Sequence, residues 1–377
     1  MRRLLPLVLL VLIPAPSAAL ADGCPPATCL MTSSVSPGSR LLVVRPMGPR
    51  GSLTAIDLLT GARRFSLPNG LLSADGGTYA SSAPVNAKRT TIGRYNARTG
   101  KLQAGLSLQG VWEVAGLTAD GRRVALARHG RRETLIGVAD RRLRIRKTLR
   151  GAFDVEALSP NGRRVFLVHW RKNGYRLEQL DLASNTLKPT LLDEPDEKMS
   201  GAPMTAVATR DGGWLLTLYL KADGSSFVHA LNLRTGVAHC VDLPLKGDFV
   251  TVGSTALTLS PDERRLYLAS PLLGRVTTVD LGRLRMIRTV RFRAIKSTPE
   301  PSPGPSGAVS ANGRMLAFTE DNTVWLYDTA FGVLHRPMRT RSTISGIGFA
   351  PGGRQLLAIA STGRVLAVDA ATGKRMR

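Results

Sequence analysis

Two short turn signatures alternate along this chain, and no other feature restricts the possible folds as tightly. The first is a Ser/Thr-x-Asp/Asn-Gly-like turn, in most copies leading through arginine into an apolar run. It occurs as SPGS at Ser36, SADG at Ser73, TADG at Thr118, SPNG at Ser159, TRDG at Thr209, SPDE at Ser260, SANG at Ser310 and APGG at Ala350. The second is an apolar residue followed by Asp or Asn that opens a turn often closed by Thr-Gly, at Asp57, Asn96, Asp140, Asp181, Asn232, Asp280, Asp328 and Asp369. There are eight of each, and neither misses a beat. Asp57 and Asp369 are separated by 312 residues in seven intervals, about 45 per unit.

A period of this size fits one four-stranded blade of a radial repeat protein. Each unit divides into four strands. A short strand such as Val155–Leu158 precedes the first turn, where Pro fixes φ and Gly supplies the positive φ that closes it. A second strand follows, such as Val165–His169 or Leu266–Ala269, and then a variable loop. The third strand, such as Val276–Val279 or Val324–Tyr327, ends at the Asp/Asn, whose side chain can accept from backbone amides two residues on. Met286–Val290 exemplifies the fourth. Most of these strands are apolar on both faces, which suits a sheet sandwiched between two neighbours. The fold class is therefore all-β, a β-propeller of four-stranded blades. Eight blades are expected, with seven the alternative if one repeat is a decorated loop.

The N-terminus is read separately. Met1-Arg2-Arg3, the apolar run Leu4–Ile13 and the small-x-small site Ala19-Leu20-Ala21 predict a signal peptide over 1–21. The run is too short to span a bilayer. Residues 22–28 form an N-terminal segment and 29–377 a single propeller domain, expected to be secreted or otherwise extracytoplasmic and monomeric. In an oxidising compartment Cys24 and Cys29 are a candidate disulfide, which leaves Cys240 unpaired.

SPNGRRVFLV and SPDERRLYLA resemble the turn-plus-strand of WD-like and TolB-like bacterial propellers, and RRLYLASPLLGRVTTVDLGRLRMIRTV is similar to the YVTN-type surface repeat. LTAIDLLTG and VLAVDAATGKR resemble the repeat of pyrroloquinoline-quinone enzymes, without their tryptophan-rich blade ends or vicinal cysteine pair. No cofactor is expected. The resemblance implies that the two repeated turns share one face of the disc and the variable loops the other. Loops on a rigid scaffold are where binding residues gather. The basic connections Lys88-Arg89, Arg128 with Arg131 and Arg132, and Arg171-Lys172 belong to successive repeats and are expected side by side on the variable-loop rim.

The formal net charge of +25 admits an anionic partner, but the surplus is mostly Arg, is spread through nearly every repeat and accompanies no nucleic-acid motif. The five histidines show no HxH or HExxH spacing, so no metal site is expected. If the turn at Leu233–Gly236 sets Asn232 opposite Val237, His229 and Cys240 become cross-strand neighbours, a packing pair rather than a metal site. Asp154 and Glu156, two apart on one inner strand, are candidates for a carboxylate pair facing the central channel. The acidic loop 193–197 lacks the glycine and spacing of a calcium loop. The role expected from these features is an exported, non-enzymatic scaffold for a protein or an anionic envelope polymer. A propeller enzyme, lactonase-like or quinone-dependent, is the alternative.

Overall fold

The computed structural model describes residues 33–35, 41–44, 52–68, 70–171, 174–192, 200–295 and 306–376. The signal-peptide reading, residues 22–28, Cys24, Cys29, Lys172, the turn at Ser36 and the acidic loop 193–197 lie outside them. Eight antiparallel sheets succeed one another along the chain, and within each sheet sequence neighbours pair. This is an eight-bladed β-propeller; the seven-bladed alternative is not realised. Blade 3 is representative, with strands Glu113–Leu117, Val124–His129, Glu133–Ala139 and Leu143–Arg150 from axis to edge. Blade 4 repeats it with Phe153–Leu158, Arg164–Arg171, Gly174–Asp181 and Thr186–Pro189. Three departures occur at the outer edges, the first being that the fourth strand of blade 7 is split into Val333–Leu334 and Met338–Arg339. The backbone of Leu191–Leu192 adds a parallel fifth strand to blade 5, and blade 8 has three strands plus a single Val368–Arg375 bridge in the fourth position.

The inner strands are largely apolar on both faces because each blade serves two seams, and alternate side chains of a strand point to opposite faces. In Trp214–Leu220, Leu215 and Tyr219 enter the core shared with blade 4, whereas Leu216 and Leu218 enter the core shared with blade 6. The ring closes in the same way. Leu42, Val44, Ile56 and Leu58 of blade 1 pack on Leu357 and Ile359 of blade 8. Closure therefore uses face-to-face burial, worth about 1.5–3 kcal/mol for each fully buried Leu or Ile.

Both sequence markers are side-chain devices. All eight Asp/Asn residues accept the amide two residues on, from Leu59 N–H on Asp57 at 2.9 Å to Ala371 N–H on Asp369 at 3.1 Å. The Ser/Thr hydroxyl bridges its turn. Ser159 Oγ donates to Asn161 Oδ1 at 2.8 Å and accepts from Arg164 N–H at 2.9 Å. The same pair of bonds forms at Ser73, Thr118, Thr209, Ser260 and Ser310. Ser159→Ala is expected to destabilise the fold by about 1 kcal/mol, seen as a lower urea midpoint with unchanged slope.

Arginines on the repeated-turn face bind the next blade. Arg123 donates to the Gly162 carbonyl at 2.8 Å, and Arg164 to the Thr235 carbonyl at 2.9 Å and to that of Arg234. Arg288 reaches the Phe331 carbonyl at 3.1 Å, and Arg94 that of Arg122. Part of the basic surplus thus ties blade to blade, which the even spread of arginine along the sequence left unexplained.

Candidate functional site

In a four-stranded meander the first and third turns share one end of the sheet, and the second turn and the exit to the next blade share the other. The basic connections are second turns, so blades 2, 3 and 4 present them on one rim. In blade 2 the expected loop is largely strand, since pairing between Thr78–Asn86 and Arg89–Asn96 runs to a tight turn at Asn86 and Arg89. Lys88, Arg89, Arg131, Arg132 and Arg171 are exposed. Arg128 is half-buried, its guanidinium 5.4 Å from the Trp112 ring centroid, while Trp112 Nε1–H donates to the Gln109 carbonyl at 2.8 Å. A cation held over an indole face is fixed in orientation as well as attracted.

Acidic side chains are interleaved with these bases. His129 Nε2 lies 2.7 Å from Glu113 Oε1 on its own blade and 3.7 Å from Asp154 Oδ1 on the next. Trp170 Nε1–H donates to Asp154 Oδ2 at 2.5 Å. Beside them, His169 Nδ1 is 2.9 Å from Glu178 Oε1, the Arg171 guanidinium is 3.8 Å from the same carboxylate, and the His169 ring packs 3.8 Å from that of Phe153. The hydrogen bond that His129 Nε2–H donates to Glu113 raises the pKa of His129, and burial raises that of Asp154 against the opposing Trp170 bond. The group can hold a proton between His129 and two carboxylates, and its 3.7 Å contact spans blades 3 and 4.

Asp154 and Glu156 are not brought together. A ladder shift between Val155 and Ala157 leaves Glu156 as the extra residue, so the simple alternation that paired it with Asp154 fails. The Glu156 carboxylate is buried, 3.3 Å from His229 Nδ1 in blade 5, and both side chains have no exposed surface. The His229–Cys240 register is as expected; Glu156 is the further partner that sequence spacing did not supply. Among the described residues no group of three or more His, Cys, Asp or Glu side chains can hold a metal ion.

Glu113, His129 and Trp170 carried a signal in the repeats. Glu113 and Asp154 both lie five residues before their turn markers, Thr118 and Ser159, while His129 and Trp170 both lie eleven after. Blades 3 and 4 therefore each pair an acid with a ring N–H at equivalent positions.

No family model matches the chain, and no curated protein matches it. Solved structures do. The chain is similar to the C-terminal WD40 domain of Sif2, with 13% identity, TM-score 0.56, and 90% of this chain and 95% of that one covered. It is similar to the Dos1 propeller, with 11% identity, TM-score 0.56, and coverages of 92% and 95%. It is also similar to dihydro-heme d1 dehydrogenase NirN in complex with DHE, with 16% identity, TM-score 0.55, and coverages of 90% and 72%. At these identities the likeness is one of fold. The protein is a β-propeller, and the solved propellers it resembles include a WD40 domain and a dehydrogenase. No helix among the described residues is long and apolar enough to cross a membrane.

Proposed function

We propose that this protein is an exported, non-catalytic scaffold that docks a protein partner on the variable-loop rim of blades 2–4. The observation that carries the reading is the composition of the rim. Exposed bases at 88, 89, 131, 132 and 171 alternate with Glu113, Glu133 and the partly buried Asp154 and Glu178. Two large apolar side chains, Val85 at 62% and Val111 at 53% exposure, stand on the same blade and its exit loop. A uniform polyanion would meet repulsion from the acids, whereas a protein surface can match mixed charge and cover the apolar groups. The ring-locked His129 and Trp170 and the indole-held Arg128 keep the surface preorganised, which lowers the entropy cost of docking.

A photo-crosslinker placed at Val85 or Arg131 in the native compartment should capture a discrete protein, and one placed at Arg98 on the opposite face should not. Charge reversal of Lys88, Arg89, Arg131, Arg132 and Arg171 should abolish that adduct. Persistence of the adduct in the reversed variant, or capture of polymer alone, would overturn the reading.

A further inference from the structure

We propose that the cleft between blades 2 and 3, on the face of the repeated turns, is a binding site for a phosphate monoester of a hydroxylated compound such as a sugar phosphate. It lies opposite the docking rim and does not depend on it. The cavity measures about 530 Å3 and is lined by Arg94, Arg122 and Arg141 together with Gln103, Ala104 and Asp120.

Its origin is a cross-strand pair. Arg94 faces Ala104 across the outer strands of blade 2. Two residues before the next blade's Asp marker, the equivalent pair is Val138 and Ile145. Those two apolar side chains line the corresponding cleft between blades 3 and 4, which shrinks to about 290 Å3. There the charges are also matched within the protein, since Arg144 Nε contacts both oxygens of Asp140 at 2.9 and 3.1 Å and Arg123 is held by the Gly162 carbonyl. Blade 2 instead places a guanidinium opposite a methyl, which opens the space and charges it.

The charge in the wider cleft is not balanced. Three guanidiniums face one carboxylate, Asp120, whose contact with Arg122 is a 3.4 Å approach between exposed groups. Two positive charges remain, and a phosphate monoester carries about −2 at neutral pH. Arg94 uses one nitrogen on the Arg122 carbonyl, yet its Nε–H is buried and has no hydrogen-bond partner among the described residues. A buried donor of this kind requires an acceptor, and guanidinium forks suit the tetrahedral oxygens of phosphate. Asp120, unsuited to an anion, suits the hydroxyls of the group that carries it, and the Gln103 amide can donate to the phosphate or pair with those hydroxyls.

Titration calorimetry at low salt with glucose 1-phosphate as the probe tests the assignment. Saturable one-to-one binding is expected, with no binding of glucose. Arg141→Ala, which removes a guanidinium that makes no hydrogen bond or ion pair among the described residues, should weaken the affinity about tenfold. Ala104→Leu should remove binding by filling the cleft, and its melting temperature shows whether the blade is intact. Unchanged affinity in both variants, or no saturable binding by the wild-type protein, overturns the site. Sulfate competing as well as the sugar phosphate overturns the hydroxylated ligand class. A phosphate-capped oligosaccharide binding more tightly than the monomer would support the site with a polymer end as its ligand; equal affinity would support it with a free metabolite.

Discussion

Replacing His229 by alanine is expected to destabilise the propeller by about 3–5 kcal/mol, because it leaves a buried polar partner unpaired and opens a cavity. His229 and Glu156 face each other across the seam of blades 4 and 5, and neither side chain reaches solvent. Among the described residues neither ring nitrogen and neither carboxylate oxygen has a hydrogen bond, and the 3.3 Å approach of His229 Nδ1 to Glu156 Oε1 is the polar contact of the pair. Tyr219 seals the site, its ring edge-on to His229 at 5.7 Å and stacked on Tyr175 at 5.4 Å. Burial holds the Tyr219 phenol protonated far above its ordinary pKa, and the nearby Glu156 carboxylate adds to the effect. Deleting the imidazole leaves Glu156 with no counterpart in an apolar seam and also opens a cavity. The double variant Glu156→Leu/His229→Leu should recover most of the loss, because replacing both buried polar partners by well-packed apolar side chains leaves neither unpaired. Urea unfolding of the two single variants and the double one measures the coupling. A His229→Ala cost below about 1 kcal/mol, or a double variant as unstable as the singles combined, would show that the pair is not what joins these blades.

What the sequence disclosed about this seam follows from how local each contact is. The His229–Cys240 pairing was legible because a four-residue turn, Leu233–Gly236, fixes the register of its own hairpin. The Asp and Asn markers were legible for the same reason, since each closes bonds within three residues. Glu156 is 73 positions from His229, and only the closed ring brings the two blades together. Its direction also depends on a bulge, and nothing in Asp154-Val155-Glu156 departs from plain alternation to announce one. The basic rim occupies an intermediate case. The positions of its loops followed from the repeat, whereas the approach of Asp154 to His129 joins two blades and exists only in the assembled ring. Arg94 reads in sequence as one more surface arginine. Its cross-strand partner Ala104, set by the strand register, is what gives it an open cleft.

The stability of the wild-type protein is expected to fall by about 3 kcal/mol between pH 4.5 and pH 7 on account of one carboxyl group, that of Glu320. This residue ends the second strand of blade 7 and pairs with Thr323 across a turn in which Asp321 adopts a positive φ of 50°. It is only 7% exposed, and its Oε2 has no hydrogen-bond partner among the described residues. Burial, with the Asp321 charge adding to it, raises the pKa from 4.5 to about 7. Below the lower value the folded and unfolded chains are both protonated and full stability is present. Between the two values the unfolded chain releases a proton that the folded chain retains, so stability declines with rising pH. Above about 7 the folded protein carries a buried charge and the loss is complete. The turn aspartates act in a separate window. Asp140, held near 2 by the Arg142 amide and Arg144, and Asp211, held near 2 by Arg234, cost stability only as pH falls below the ordinary carboxylate range. Glu320→Gln removes the one effect and leaves the other. It should match the wild type at pH 4 and exceed it by about 2–3 kcal/mol at pH 8, measured as the difference between their urea-unfolding free energies across that range. A difference that stays flat with pH would mean that the Glu320 carboxyl is hydrated or paired in the folded protein, and that burial does not govern its titration.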